Sequence, residues 1–191
     1  MRRLVIAITG GIGSGKSTLC ALIKKRGYQV VSADETYGEL LRDENFVRGV
    51  HLSVGIESDS KTLLRQEISN TVFSNAEKLK LLNDYTHGKI VAKMFENTAE
   101  SGVVFHEVPL LFEGGFEKLY DKIIIVTRPL EDRIKAVMER SNLSKEEVKN
   151  RIKNQVLYEN LKDIKHTVIN NDCSESELDK KLGAVLDKII Y

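Results

Sequence analysis

Apolar residues in this chain gather in short blocks separated by longer amphipathic stretches, and that alternation predicts an α/β fold. Five blocks read as strands: Leu4–Ile8, Gln29–Val31, Val103–Val108, Lys122–Val126 and Thr167–Ile169. The first and fourth are continuously apolar, as strands of a parallel sheet buried on both faces must be. Ser-x-x-Glu boxes open helices between the strands. Ser74 and Glu77 precede Leu79, Leu81 and Leu82, and Ser144 and Glu147 precede Val148 and Ile152. Ser174 and Glu177 precede the stripe Leu178, Leu182, Val185, Leu186 and Ile189, which predicts a helix packed on the sheet.

The spacing of the strands is uneven. About 20 residues separate the first two, enough for one crossover helix, whereas roughly 70 separate the second and third. Residues 35–100, in round numbers, therefore read as an inserted helical lobe within a single domain spanning 1–191. Residues 49–62 read as a polar loop, and none of its groups forms a metal cluster. Neither an internal repeat nor a low-complexity segment is visible.

Composition narrows the functional classes. Twenty-nine lysines and arginines against 28 acidic residues leave a net charge of +1, which argues against a surface that coats nucleic acid. Cys20 and Cys173 have no metal-ligand spacing and form no disulfide framework; Cys20 reads as a small core residue. His51, His87, His106 and His166 are scattered and read individually as structural or solvent-facing. No apolar stretch approaches the roughly 20 residues of a membrane span, and the N-terminus lacks a signal-peptide pattern. A cytoplasmic protein is the expectation.

Residues 10–17, Gly-Gly-Ile-Gly-Ser-Gly-Lys-Ser, fit G-x-x-x-x-G-K-[ST] between the first strand and a helix-compatible run. Glycines let the backbone curl so that amide hydrogens converge on a polyphosphate, and the following helix adds its positive end. Gly11, Ile12, Gly13, Ser14, Gly15, Lys16, Ser17 and Thr18 are thus the candidate residues for binding a nucleoside triphosphate. Lys16 suits the β- and γ-phosphates, and the Ser17 hydroxyl suits Mg2+. A glycine-rich turn that binds nothing is the bland alternative, and the strand–loop–helix order weighs against it.

Absent signals exclude several relatives of such loops. Asn-Lys-x-Asp and an Asp-x-x-Gly switch are missing, which disfavours a regulatory GTPase, and no Leu-Ser-Gly-Gly-Gln supports a transporter ATPase. A small-molecule kinase needs an acid at the acceptor hydroxyl, an acid on the metal side and a basic closing segment. Asp34, beyond the second strand, suits the first role and equally suits a helix cap. Glu107, ending the third strand, suits the second role, with Glu113 nearby; exposed strand-end carboxylates are the alternative. Arg128, Arg133, Lys135, Arg140, Lys145, Lys149, Arg151 and Lys153 supply the third, although interleaved acids mark most of them as solvated helix surface.

With these residues in view, the chain resembles the dephospho-CoA kinases nearly end to end. The match runs through Ile8–Thr18, Ala33-Asp34, Arg65 with Val72-Phe73, Leu82-Asn83 with His87, and Glu107-Val108-Pro109-Leu110-Leu111-Phe112-Glu113. Phe116–Asp121, Arg140, Arg151-Ile152, Gln155 and Val168–Asn171 follow in order. The resemblance implies a three-layer P-loop fold on a five-stranded parallel sheet, with a lid at about 128–160. It implies transfer of phosphate from ATP to the ribose 3′-hydroxyl of dephospho-CoA, with Mg2+ as cofactor. It assigns the acceptor-side acid to Asp34, a lid arginine to Arg140 and an adenine neighbour to Asn171. Lobe 35–100 becomes the CoA-substrate lobe, with Arg65 and His87 as candidate contacts, and Asp34, Pro109 and Leu110, outside that range, are further substrate-binding candidates. Small-molecule substrates are the implied partners, with no nucleic acid or membrane, in a monomer or weak homo-oligomer.

Four positions depart from the family pattern: Ser32 for an acid, Gly88 for a proline, Ala136 for a lid arginine, and Lys165-His166 for Ala-Asp. Arg133 lies one turn before Ala136. These departures leave two other readings open, a kinase for a nucleoside or nucleoside monophosphate and an ATP-binding paralogue without catalysis.

Overall fold

The computed structural model describes residues 3–56, 68, 71–72, 75–141, 143–153, 155, 161 and 166–190. Strands β1 (Leu4–Thr9), β2 (Gln29–Ser32), β3 (Val103–Glu107), β4 (Lys122–Thr127) and β5 (Thr167–Asn170) form one sheet in the order β2-β3-β1-β4-β5. β1 runs parallel to β3 and β4, and β4 parallel to β5. All five predicted strands are present, each within two residues of its expected ends. The fold is α/β, one five-stranded sheet with helices between its strands, as expected.

This strand order locates the site. The chain leaves β1 toward one edge of the sheet and leaves β3 toward the other. A crevice therefore opens beyond the carboxyl ends of β1 and β3, where ligands of such sheets bind. Register makes this concrete. Ile8 pairs with Glu107, and the Val108 amide donates to the Ile8 carbonyl at 2.9 Å. Glu107 is thereby held level with the start of the glycine loop.

The chain divides into two compact units, residues 1–31 with 99–191, and 32–98. In the first, α1 (Lys16–Lys25) and α7 (Glu175–Ile190) share a core with the sheet. Leu19, Leu22, Ile23, Leu178, Leu182 and Leu186 meet Ile6, Ile8, Phe105, Ile124 and Ile169, all buried. Each such side chain contributes about 1.5–3 kcal/mol on leaving water. Cys20 is part of this core, as its position predicts. The expected stripe on α7 is the buried face.

Two capping boxes close as expected. The Ser144 hydroxyl and amide both donate to the Glu147 carboxylate, at 2.6 and 2.8 Å, and Ser174 and Glu177 repeat the arrangement. Those bonds hold the Glu147 and Glu177 carboxyls below their ordinary range. They start α6 (Lys145–Lys153) and α7. α5 (Leu130–Ser141) packs on α6 through Ile134, Val137 and Val148.

The second unit is helical among its described residues: α2 (Ala33–Leu40), α3 (Glu44–Ser53) and α4 (Ala76–Glu96). Phe46, Val50, Val54, Ile68 and Val72 form its core, with Tyr37 and Tyr85 against Phe46. Two expectations need correction here. Residues 49–53 belong to α3 rather than to a loop, because Asp43 caps that helix (its carboxylate accepts from Asn45 and Phe46) and Val47 and Val50 are buried. Residues 57–62 of the expected loop lie outside the described residues. The cap of α4 is Asn75, whose side chain accepts from the Glu77 and Lys78 amides at 3.0 and 3.1 Å. Ser74, the expected cap, lies outside the described residues.

Candidate active site

The glycine loop joins β1 to α1 and is built by contacts on three sides. Gly10 (φ 147°) passes against the Val126 carbonyl of β4, where any side chain would collide with backbone. Lys16, the first residue of α1, folds its ammonium back onto the Gly10 and Gly11 carbonyls at 2.7 and 3.2 Å. Those bonds hold a positive charge at the mouth of the loop. Ser14 is buried, and among the described residues its hydroxyl has no hydrogen-bond partner, nor does that of Thr9. Donors left unmatched at a loop of this kind suit an acceptor-rich ligand.

Ser17 and Glu107 meet at the crevice. The Ser17 hydroxyl donates to Glu107 Oε1 at 3.3 Å, linking the first turn of α1 to the end of β3. Two hard oxygen donors in one place, beside a polyphosphate loop, fit a small divalent cation such as Mg2+. Glu113, the second acid considered, is exposed beyond the turn that carries the half-buried Pro109 and Leu110.

Three further side chains fasten the loop. The Asn171 amide donates to the Ser14 carbonyl at 2.9 Å, and its own backbone amide is fixed by the Thr127 carbonyl at 2.8 Å. Arg133 of α5 donates through Nε to the Ile12 carbonyl at 2.9 Å. Gln155, just after α6, accepts from the Ile12 amide at 2.8 Å. Sequence patterns carry no signal for these bonds, since Ile12 lies 121 and 143 residues away from its two partners. Arg140 is exposed in the last turn of α5, and Ala136 is half-buried on the same helix.

The structure thus gathers Gly11–Thr18, Glu107 and Asn171 around one loop, all in the first unit. Asp34 and His87 belong to the second unit. Asp34 is exposed in the first turn of α2, whose N-cap position is Ser32. Helix capping, the alternative considered for Asp34, is therefore not its role. His87 is half-buried in α4, and Gly88 beside it is an exposed helical position with open space around it. Arg65 lies outside the described residues.

Comparison with known proteins decides the family. The family model described as Dephospho-CoA kinase matches residues 4–177. A dephospho-CoA kinase of Thermus thermophilus is 36% identical over 194 residues, covering 97% of this chain and 92% of that protein. The chain belongs to the dephospho-CoA kinase family. Among solved structures, TT1252 from Thermus thermophilus aligns with a TM-score of 0.81 at 35% identity, over 99% of each chain. The dephospho-CoA kinase from Campylobacter jejuni aligns with a TM-score of 0.67 at 28% identity, over 98% of this chain and 97% of that one. Membership of the dephospho-CoA kinases makes the catalysis nucleotide-dependent. Among the described residues, no helix is long and apolar enough to cross a membrane.

Proposed function

We propose that this chain transfers the γ-phosphoryl group of ATP to the ribose 3′-hydroxyl of dephospho-CoA, yielding coenzyme A and ADP, the last step of coenzyme A synthesis. The observation that carries the reading is a complete phosphate loop, with Lys16 on it and Ser17 bonded to Glu107, in a dephospho-CoA kinase family chain.

Phosphoryl transfer leaves a protein little covalent chemistry, so its work is placement and charge. In this reading the amides of Gly11–Thr18 and the Lys16 ammonium hold the β- and γ-phosphates. Lys16 exchanges its loop carbonyls for phosphate oxygens when nucleotide binds. Ser17 and Glu107 would hold Mg2+, which would supply positive charge against the polyphosphate. Asp34 orients the attacking hydroxyl and accepts its proton, a task for an ionised carboxylate within hydrogen-bond reach. Arg140 offsets negative charge developing toward the ADP leaving group. Asn171 borders the adenine side of the nucleotide.

The second unit is the acceptor lobe in this account, with His87 and Arg65 as substrate contacts; Pro109 and Leu110, of the first unit, are proposed as substrate contacts as well. A soluble cytoplasmic enzyme, monomeric or weakly self-associating and free of nucleic acid, completes the proposal. Incubation with ATP, Mg2+ and dephospho-CoA, followed by chromatography and mass analysis, tests it. The expected product is coenzyme A, one phosphate heavier than the acceptor. Unchanged dephospho-CoA under conditions where ATP binds would support the non-catalytic reading instead.

A further inference from the structure

One residue of the phosphate loop is held on every side. The Ile12 amide donates to Gln155 Oε1 at 2.8 Å, and the Ile12 carbonyl accepts from Arg133 Nε at 2.9 Å. Arg133 Nη2 also reaches Gln155 Oε1 at 3.5 Å, so the two side chains brace each other. The Ile12 side chain packs into the apolar cluster of Ile134, Val137 and Val148 between α5 and α6. Its neighbours are shaped to the same helix. A side chain at Gly11 would run into the Arg133 guanidinium, and one at Gly13 would meet the Arg133 carbonyl at 2.5 Å and Val137 at 2.9 Å.

We propose that Arg133 and Gln155 are positioning residues for nucleotide binding, clamping the Ile12 peptide so that the loop has its phosphate-binding shape before nucleotide arrives. The proposal rests on the nucleotide-site reading above and deepens it. Three considerations carry it. A free glycine-rich loop loses much backbone entropy when a ligand orders it, and prior ordering removes that cost from binding. A carbonyl turned toward a polyphosphate would repel it, and this carbonyl is occupied by a guanidinium. Finally, both polar groups of the Ile12 peptide are satisfied by side chains from outside the loop. Gly11 then serves close approach to Arg133, since its own φ is not among the positive ones.

The probe is ADP, titrated calorimetrically into the intact protein without acceptor, alongside steady-state kinetics and thermal melting. Arg133→Met and Gln155→Leu should each raise the ADP Kd and the KM for ATP about tenfold, the size of one hydrogen bond to a charged or buried group. Turnover at saturating ATP should stay within about threefold, since the clamp acts before chemistry. Gln155→Glu keeps the oxygen that accepts from Ile12 and Arg133, and should retain most of the affinity. Gly11→Ala should weaken ADP binding by dislodging the guanidinium. Combined with Arg133→Met it should cost little more than either change alone, the non-additivity expected of groups in contact.

A lowered melting temperature with unchanged ADP affinity would reduce the contact to packing and overturn the proposal. So would a loss of turnover with unchanged ADP affinity, which would put Arg133 on the transferring phosphoryl group. Failure of the unmodified protein to phosphorylate dephospho-CoA would refute the function instead, and the ADP titrations would still decide the clamp.

Discussion

The Ser17 hydroxyl donates to Glu107 Oε1 at 3.3 Å, tying the helix that follows the phosphate loop to the end of the neighbouring strand. The two residues are 90 positions apart, and only the parallel pairing of β1 with β3 brings them level. If these oxygens hold the nucleotide's Mg2+, Glu107→Gln should lower turnover about 100-fold and raise the Mg2+ concentration needed for half-maximal rate. ADP binding in the presence of a chelator should be unaffected. A Mg2+ dependence identical to that of the unmodified protein would remove Glu107 from the metal site.

Lys16 bonds two loop carbonyls here and is the loop's own cation. Lys16→Ala should therefore damage binding and chemistry together, with ADP affinity reduced at least tenfold and turnover by about 100-fold or more. Calorimetry and steady-state rates measure the two effects separately. Unaltered kinetics would contradict the phosphate-loop assignment.

Asp34→Asn keeps size and exposure while removing the carboxylate that the proposal makes the base. Turnover should collapse, by about 100- to 10,000-fold for loss of a general base, while ADP affinity holds. Normal turnover in this variant would take Asp34 out of the mechanism.

Beneath the site, His106 is completely buried in β3, its Nδ1 3.3 Å from the Tyr120 hydroxyl. Burial, with a smaller contribution from the Arg3 charge, pushes its pKa down from 6.5 to about 4. Burial also pushes the Tyr120 hydroxyl up. Between pH 6.5 and 4 the unfolded chain binds a proton at this position that the folded chain excludes. The contribution to stability is thus present in full above about pH 6.5 and lost as pH falls toward 4, amounting to about 3 kcal/mol. Urea unfolding at a series of pH values should show that slope, and His106→Gln should flatten it. An equal slope in both proteins would assign the acid sensitivity elsewhere.

Much of this architecture was legible because it is local. Continuous apolar blocks such as Leu4–Ile8 announce buried parallel strands, and Ser144 with Glu147 announces a helix start within four residues. The glycine loop declares itself in the same way. α3 was hidden because Gly49 and two β-branched valines weaken helix propensity, while the reason for Gly49 is tertiary: Tyr85 of α4 packs against it. Asn75 caps α4 where the Ser74–Glu77 pattern favours the serine one residue earlier, a choice that sequence alone leaves open. Strand order, the Ser17–Glu107 meeting and the Ile12 clamp depend on contacts between residues far apart in the chain, from Ile124 with Thr167 to Ile12 with Gln155, for which a single sequence has no periodicity to read. Arg133 illustrates the point, since its helix reads as solvated charge, yet one of its cations is committed to a backbone carbonyl.

ADP release with Mg-ATP, compared across dephospho-CoA, AMP, nucleosides and no acceptor, tests the central claim most directly. The account predicts release that depends on dephospho-CoA, matched mole for mole by coenzyme A. Equal release with another acceptor, or none with dephospho-CoA, would contradict it.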